Sequence, residues 1–313
     1  MDTPRMKSDT VVRTKSSGKL HRRDWIPALV FLTPQLIGLI LFLGVPLVFS
    51  FYLTFTKWDL LAPKPEFIGL QNWQHLFEDA KIPRVLGNTV LFITTSTTSY
   101  LILSLLLALL LAKPRPGISF LRGLFFLPWV LSPIAVGAAW TFMFNQRSGP
   151  IGLIAQAVGL DYSSPLLSQD AAMIGIAVVA TWQALGYGMI VYIAGLQGIP
   201  KEIYDAVRVD GANAIQRFFY IEIPLLSPTI LFLTMTAIIA AFQLFDLVVL
   251  LAGPAGSTDT IVLYIYQQMF WLSERLSGAG YAATLSWMLA LIVFLITIVQ
   301  WVLSKRWVFY FGE

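Results

Sequence analysis

Asp246 is the one ionisable side chain well inside a long apolar stretch of this chain. A carboxylate at the centre of a bilayer costs about 3 kcal/mol on insertion scales, unless it faces a cavity or a partner. Gln243 lies three residues earlier, so on a continuous helix both side chains would project from one face, beside Phe242 and Phe245. A polar pair with adjoining aromatic rings fits a sugar, which offers hydroxyl groups and apolar ring faces. Pairing of Asp246 with a helix of a partner chain is an equally good interpretation.

The sequence lacks the residues that enzymatic or metal chemistry needs. It contains no cysteine and two histidines, His21 and His75, which excludes disulfides, thiolate metal sites and thiol catalysis. Gly18-Lys19 is followed by Leu20 and lacks the upstream glycine spacing of a phosphate-binding loop. No H-E-x-x-H pattern and no pair of intramembrane carboxylates occurs. We therefore predict no catalytic residue, no metal site and no cofactor in this chain.

Composition places the chain in a membrane. Hydrophobic residues make up 57% of its 313 residues and charged residues 12%, and the mean hydropathy is +0.73. Six apolar stretches each exceed the roughly 20 residues that a helix needs to cross a bilayer. They cover about residues 26–53, 88–111, 122–144, 171–196, 225–251 and 280–304. Because backbone groups cannot stay unpaired in hydrocarbon, we predict an all-α polytopic membrane protein with six transmembrane helices.

The basic residues predict the orientation of these helices. Fifteen of the 21 Lys and Arg residues lie on one predicted side of the membrane. By the positive-inside rule that side is cytoplasmic and includes both termini, whereas residues 56–87, 145–170 and 252–279 are outside. The basic tail contains no aromatic residue before Trp25, which favours an orientation signal and contact with lipid headgroups over nucleic-acid binding. Its polar first 25 residues indicate an uncleaved anchor rather than a signal peptide.

A polar segment at 199–224 separates two of the apolar stretches and predicts a helix-turn-helix. Pro200 fits a first helical turn, and Ile203, Tyr204 and Val207 then share one helical face. Asp210-Gly211 indicates a helix stop, because glycine accepts the left-handed conformation. Asn213 followed by Gln216 predicts a capping box that opens a second helix. An element of this size in a cytoplasmic loop can dock on another protein.

The same segment resembles the EAA loop of ABC-importer permeases, which engages the ATPase subunit. The family pattern is E-A-A, three residues, G, nine residues and I-x-L-P. This chain has Asp205-Ala206-Val207, Gly211 and Ile221-Glu222-Ile223-Pro224 at the same spacing, with three letters changed. The resemblance implies that residues 200–210 dock on the ATPase. The implied coupling residues are Glu202, Asp205, Ala206, Val207, Asp210 and Gly211.

Further matches to carbohydrate-type permeases extend over nearly the whole chain after residue 25. They are F-I-G-L-Q-N-W at 67–73, Leu127-Pro128-Trp129, Gly253-Pro254 with Thr260, Gly280-Tyr281-Ala282-Ala283, and Arg306-Trp307-Val308 with Tyr310. The resemblance implies solute contacts at Trp129, Tyr187, Phe242, Gln243 and Asp246. Gln183 joins this set because it precedes Tyr187 by one helical turn on the same face. Small residues in the fourth stretch predict close helix packing, at Gly175, Ala184, Gly186, Gly188 and Gly195.

These features predict a basic cytoplasmic tail (1–25), a permease domain (26–304) and a cytoplasmic C-terminus (305–313). The resemblance implies a type I ABC importer subunit for a sugar, oligosaccharide or polyol, in a bacterial or archaeal plasma (inner) membrane. Its implied partners are a second homologous permease in a heterodimer, two ATPase subunits and an extracytoplasmic binding protein, which together work by alternating access. Importers of amino acids or phosphate are alternatives. An ion-coupled secondary transporter is another, although such carriers typically show internal repeats and several intramembrane charges.

Overall fold

The computed structural model describes residues 25–60, 62–168, 171–251, 257–270 and 278–309. The basic tail before Trp25, the Gly253-Pro254 match and Tyr310 lie outside these residues. The chain divides into two units, residues 1–50 and 51–313. Within the described part of the first unit, Trp25–Leu39 is helical and is followed by a π-helical turn at Ile40–Gly44.

Nearly all the regular structure is α-helical. In chain order the helices are α1 (Trp25–Leu39), α2 (Val45–Leu53), α3 (Gln71–Glu78), α4 (Ile82–Leu111), α5 (Ile118–Val130), α6 (Pro133–Met143), α7 (Pro150–Ala157), α8 (Ala172–Gln197), α9 (Lys201–Val209), α10 (Ala214–Arg217), α11 (Ile223–Leu225), α12 (Ser227–Phe242), α13 (Asp246–Leu250), α14 (Ile261–Phe270) and α15 (Ala279–Ser304). A π-helical turn at Phe218–Glu222 links α10 to α11, and a 3-10 turn covers Pro165–Leu167. Two short antiparallel strands, β1 (Thr56–Lys57) and β2 (Glu66–Phe67), pair in the segment before α3.

The predicted six-span, all-α architecture is confirmed, although two of the spans are not straight. Among the described residues, four helices are long and apolar enough to cross a membrane: Leu29–Leu53, α4, α8 and α15. Two bent pairs bring the number to six if each pair is one span, α5 with α6 at 99° and Ala214–Leu225 with α12 at 64°. Helix α4 begins at Ile82 rather than near residue 88, because Pro83 occupies its first turn, where proline is tolerated.

The third predicted span, 122–144, is wrong as a continuous helix. It breaks at Leu131 and Ser132, both of which have extended backbone conformations. The physical reason is Pro133, which disfavours the helical conformation in the residue before it and begins α6. The amide nitrogen of Gln183 on α8 donates to the carbonyl oxygen of Leu131 at 3.2 Å. This bond satisfies one acceptor at the break.

The fifth predicted span, 225–251, is also interrupted. Helix α12 ends at Phe242, and α13 begins only at Asp246. The backbone N–H groups of Gln243 and Leu244 bond to carbonyls three residues earlier, which tightens the last turn and ends the helix. The prediction that Gln243 and Asp246 share one helical face is therefore wrong. Asp246 instead occupies the first turn of α13, where the helix dipole favours a negative charge.

Helix α8 is at the centre of the packing, and its small residues allow neighbouring helices to approach. A methyl group at Gly188 would lie 2.8 Å from the Cβ of Ser104 on α4, and one at Gly186 would overlap the backbone oxygen of Phe125 on α5. Gly195 is equally close to Thr229 on α12. The prediction of close packing around this helix is confirmed, and this packing joins span four to spans two and five and to the first half of span three.

The segment before α4 packs against the start of α15. Asn72, which is buried, donates to the carbonyl oxygens of Thr54 and Thr56 at 2.9 and 2.8 Å. Asp79 accepts hydrogen bonds from the hydroxyls of Tyr264 and Tyr281, each at 2.6 Å. Burial raises the pKa of the Asp79 carboxyl. The two tyrosine hydrogen bonds and a third from the backbone N–H of Lys81 outweigh burial and hold the pKa below its usual value. An ionised carboxylate thus links this segment to α14 and α15.

Candidate functional site

A cavity of about 500 Å³ lies among α4, α5, α8 and α12, at the level where spans three and five are broken. Non-helical backbone at membrane depth is tolerated where it is buried in protein or borders a cavity. The cavity wall is mostly apolar, with a few hydroxyl and amide groups. It is formed by Phe92, Ser96, Thr97, Tyr100, Trp129, Leu131, Pro133, Ala180, Thr181, Gln183, Ala184, Tyr187, Thr236, Ala237, Ala240, Ala241, Leu244 and Leu247.

Two of the predicted solute-pathway residues stack on each other in this wall. The rings of Trp129 and Tyr187 lie 4.8 Å apart, centroid to centroid, at an angle of 20°. Trp129 stands two residues before the break of span three, and Tyr187 faces it from α8. Offset-stacked rings at this separation attract each other and hold each other's orientation. The pair is a flat apolar surface beside an open volume.

Gln183 also borders the cavity, one turn before Tyr187 on α8. Its Nε2 atom is already bonded to the Leu131 carbonyl across the break of span three. In this arrangement the side chain joins α8 to the irregular segment between α5 and α6. Gln183 thus borders the cavity and also stabilises the break of span three through a hydrogen bond.

The three predicted residues of span five lie outside the cavity wall of this chain. Phe242 is buried in a hydrophobic cluster with residues that include Phe92 and Val248. Gln243 and Asp246 are exposed, on either side of the interruption between α12 and α13. The neighbouring Leu244 and Leu247 border the cavity in their place.

Several residues that border the cavity carry no signal in the sequence alone. Ala240 and Ala241 leave room for the cavity because they are small, and Thr97 and Tyr100 come from α4, which has no intramembrane charge to mark it. Thr97 Oγ1 is buried and has no hydrogen-bond partner among the described residues. A buried threonine without a partner can be recognised only when its neighbours in space are known.

The polar loop at 199–224 folds as a helix-turn-helix. Helix α9 runs over Lys201–Val209, with Pro200 as the N-cap residue rather than in the first turn. Gly211 has φ +72°, as predicted, and ends the helix in the left-handed conformation. The Asn213–Gln216 capping box is present, with the two reciprocal bonds at 2.9 Å. The local signals of this loop are confirmed.

The apolar face of α9 packs against its own chain. Ile203 and Tyr204 contact the cluster formed by α4, α8 and α12, and Val207 is buried. The opposite side of the loop is exposed, and it carries the predicted coupling residues Glu202, Asp205, Ala206, Asp210 and Gly211. Asp205 lies 3.8 Å from Arg208 one turn later, with both side chains exposed. Since Ile203, Tyr204 and Val207 pack against the permease domain, the opposite face, which also exposes Val209, is the one available to another protein.

A second ion pair links the loop to span five. Arg217 Nε lies 3.0 Å from Glu222 Oε1, and Glu222 is buried whereas Arg217 is partly exposed. The Arg217 guanidinium also lies 6.0 Å from the ring centroid of Tyr204 on α9. The pair therefore stands between α9 and the π-helical turn that leads into α12.

Comparison with known proteins identifies the family. A model described as "Binding-protein-dependent transport system inner membrane component" matches residues 100–308, which include the cavity wall from Tyr100 onward and the whole helix-turn-helix. This chain belongs to that family. The permease is 32% identical over 300 residues to the probable ABC transporter permease YesP of Bacillus subtilis, covering 92% of this chain and 94% of the relative.

Two further relatives have more specific names. The lactose transport system permease LacF of Rhizobium radiobacter is 32% identical over 305 residues, covering 94% of the permease and 99% of LacF. The multiple sugar-binding transport system permease MsmF of Streptococcus mutans is 30% identical over 280 residues, covering 88% and 94% of the two chains. Among solved structures, a chain of a bacterial ABC transporter for the acidic polysaccharide alginate superimposes with a TM-score of 0.77 at 23% identity, over 91% of the permease and 96% of that chain. This last similarity concerns the fold.

The permease thus has two separate regions where its residues can act on other molecules. One is the cavity, where Trp129, Gln183 and Tyr187 come together. The other is the exposed face of α9 and Gly211. Among the described residues, no group of three or more His, Asp or Glu side chains could hold a metal ion.

Proposed function

We propose that this permease is the membrane subunit of an ATP-driven importer for a sugar, oligosaccharide or related polyol. The observation that carries the solute class is the stacked Trp129–Tyr187 pair in the wall of a cavity at the broken spans. Aromatic faces suit the apolar faces of sugar rings, and cavities of about 300–1,000 Å³ are typical of small-molecule sites. The relatives named for lactose and for multiple sugars support the same class.

In this proposal the solute passes the cavity wall at Trp129, Gln183 and Tyr187. Gln243 and Asp246, which are exposed beside the break of span five, face a second homologous permease in a heterodimer. Phe242, which is buried in the hydrophobic core at the end of α12, stabilises the backbone beside this break. An extracytoplasmic binding protein delivers the solute to the outward side.

The proposed energy source is ATP hydrolysis in two partner ATPase subunits. Helix α9 docks in a groove on an ATPase through Glu202, Asp205, Ala206 and Asp210, with Asp205 near a cation of that subunit. Val207 anchors α9 to the permease, and Gly211 sets the turn. Closure of the ATPases displaces α9 and rotates the two permeases between inward-open and outward-open states. The subunit is placed in a bacterial or archaeal plasma membrane with both termini in the cytoplasm.

The solute class is tested first on the cognate binding protein. Its thermal unfolding is measured with lactose, maltose, raffinose, glycerol 3-phosphate, a mixture of the twenty amino acids and inorganic phosphate. A sugar or polyol that binds the folded protein raises its melting temperature. A rise with amino acids or phosphate alone would contradict the proposed class.

The cavity is tested in proteoliposomes that contain the complete transporter. Trp129→Leu is expected to raise the KM for uptake about tenfold, because the loss of one ring removes both the stacking and the flat surface. Trp301→Leu is the matched control, since Trp301 is an exposed tryptophan on α15 outside the cavity wall. Equal KM values for the two variants would exclude the stacked pair from the solute path.

A further inference from the structure

The polar groups that border the cavity differ in how they are satisfied. The Ser96 hydroxyl donates to the carbonyl of Phe92 at 2.6 Å, and the Thr181 hydroxyl donates to the carbonyl of Ser96 at 3.3 Å. The Thr236 hydroxyl donates to the carbonyl of Phe232 at 2.8 Å. These hydroxyls are bound by the backbone, as is usual for serine and threonine in apolar helices.

Thr97 is the exception among the threonines of the cavity wall. Its side chain is 7% exposed, and its Oγ1 atom has no hydrogen-bond partner among the described residues. Among the buried side-chain nitrogen and oxygen atoms in the part of the chain that the structure describes, Gln300 Oε1 is the one other atom without a hydrogen-bond partner. A buried hydroxyl without a partner is destabilising, because it has lost its hydrogen bonds to water and gained none in return. Such a group requires an explanation, and a ligand site is one.

The surroundings of Thr97 point to a ligand with hydroxyl groups. Thr97 borders the same cavity as the stacked Trp129–Tyr187 pair, and because its Oγ1 atom is itself buried, a change of the Thr97 rotamer must accompany contact between the hydroxyl and a solute in this volume. A sugar ring has features complementary to both the hydroxyl and the aromatic pair, because hydroxyl groups project from its edge while its C–H groups give it apolar faces. We infer that the Thr97 hydroxyl binds a hydroxyl group of the solute and is a specificity-determining residue of this permease. This inference rests on the proposed carbohydrate importer function and adds α4 to the solute site.

The variant that tests this inference is Thr97→Val, which keeps the shape of the side chain and removes the hydroxyl. Uptake of the sugar that the binding-protein screen identifies is measured in proteoliposomes with the complete transporter. We expect the KM to rise about five- to tenfold with kcat within about twofold, as for loss of one neutral hydrogen bond. Thr94→Val is the matched control on the same helix, because Thr94 is exposed and its hydroxyl is already bonded to the Val90 carbonyl at 2.8 Å.

Deoxygenated solutes then separate a direct contact from an indirect effect. One monodeoxy analogue of the sugar should be transported equally well by the wild type and by Thr97→Val, because each lacks one half of the same hydrogen bond. The other analogues should keep the five- to tenfold difference. A difference that persists with every analogue would overturn the direct contact.

Thermal unfolding gives a reading that needs no solute. Replacing an unpartnered buried hydroxyl by an apolar group of the same shape is neutral or stabilising, so Thr97→Val should unfold at the wild-type temperature or above it. A lower melting temperature would mean that Thr97 has a structural partner and would overturn the inference. If the wild type transports a sugar and Thr97→Val has an unchanged KM, this inference fails while the proposed function stands. If no sugar is transported, both fail.

Discussion

At the scale of single residues, the environment of a side chain decides which of its possible roles the molecule can use. Tyr187 and Trp129 are both aromatic residues in apolar helices, and such residues are abundant in this chain. Their stacking beside a cavity distinguishes them from the exposed aromatics of α15. Asp246 shows the opposite case, because it is exposed at the start of α13 and does not border the cavity.

The position of Asp246 leads to a prediction about assembly. Hydrocarbon cannot solvate a carboxylate, and Asp246 does not border the cavity of its own chain, so we expect it to pair with the second permease. Asp246→Asn keeps the size of the side chain and removes its charge. We expect the fraction of intact complex in size-exclusion chromatography to fall several-fold, with the KM of the remaining complex unchanged.

The comparison variant for this experiment is Gln243→Ala, which lies on the other side of the break and carries no charge. It should reduce assembly less than Asp246→Asn. If Asp246→Asn assembles normally but raises the KM, then Asp246 contacts solute, and the alternative drawn from the sequence is the correct one.

At the scale of elements, the helix-turn-helix is held together by two local features, the left-handed Gly211 and the Arg217–Glu222 pair. Gly211 lets α9 end sharply, with only four residues between the end of α9 and the start of α10. The Arg217–Glu222 pair links α10 to the end of the turn that follows it, and its Arg217 guanidinium lies over the ring of Tyr204 on α9. Helix α9 is therefore attached to the base of α12 by packing and by charge, so a displacement of α9 can be passed to span five.

Gly211→Val tests the turn. A β-branched residue at φ +72° is strained, and the cost of a left-handed residue is about 1–2 kcal/mol. No atom lies within 4 Å of the position that a Cβ would take, so the effect is one of backbone strain rather than of a clash. We expect reduced association with the ATPase subunits and a several-fold loss of transport-coupled ATP hydrolysis. Normal assembly and coupling in Gly211→Val would show that this loop is not the ATPase-docking element.

Gly159→Val is a matched control for the strain itself. Gly159 also has a left-handed backbone, with φ +73°, and open space around it, but it follows α7 on the predicted outward side. A similar loss of coupling in both variants would point to general destabilisation.

The Arg217–Glu222 pair leads to a separate prediction. Glu222→Gln removes the negative charge opposite Arg217, and because Arg217 is partly exposed we expect the complex to lose about 2 kcal/mol of unfolding free energy, less than for a fully buried pair. Changing both residues to leucine should recover much of this loss, because no unpaired charge remains. Coupled ATP hydrolysis per transported solute should rise in Glu222→Gln if the pair passes motion from α9 to span five.

Arg115→Gln is the control for the loss of one charge, because Arg115 is exposed in the loop between α4 and α5. It should leave both the melting temperature and the coupling ratio unchanged. An identical coupling ratio in wild type and Glu222→Gln would remove the pair from the transmission of motion.

At the scale of the whole molecule, the charge distribution and the six spans lead to one orientation. Residues 112–122 and 197–223 carry six Lys and Arg residues, as many as the segments predicted to be outside, so the excess on one side comes from the seven in residues 1–25 and the two near the C-terminus. From the positive-inside rule we predict that both termini and α9 are cytoplasmic.

Cysteine labelling tests this orientation, because the natural chain has no cysteine. We expect Gln71→Cys to react with an impermeant maleimide added to intact cells or spheroplasts, and Arg115→Cys to react only after the membrane is opened. Both positions are exposed, so access of the reagent is comparable. Labelling of Gln71→Cys from the cytoplasmic side alone would reverse the topology.

Several features of this permease follow from the sequence by itself. Long uncharged stretches can only be helices in hydrocarbon, which determines the fold class and the number of spans. The helix-turn-helix is equally local, since Gly211 and the Asn213–Gln216 box act within a few residues. The stacked pair was partly predictable, because the family resemblance implied that both Trp129 and Tyr187 contact solute.

The break in span five and the cavity beside the two breaks were decided by the tertiary structure. Pro133 marks the first break, but no proline or glycine marks the second, which depends on how α13 packs against α6. There, the Thr141 hydroxyl donates to the carbonyl of Leu250 at 3.3 Å, and Gly137 leaves room for the Leu250 side chain. Contacts between helices also decide that Phe242 is buried in the core and that Thr97 borders the cavity. Apolar periodicity shows which residues avoid water, whereas contacts between distant helices determine which of them border an open volume.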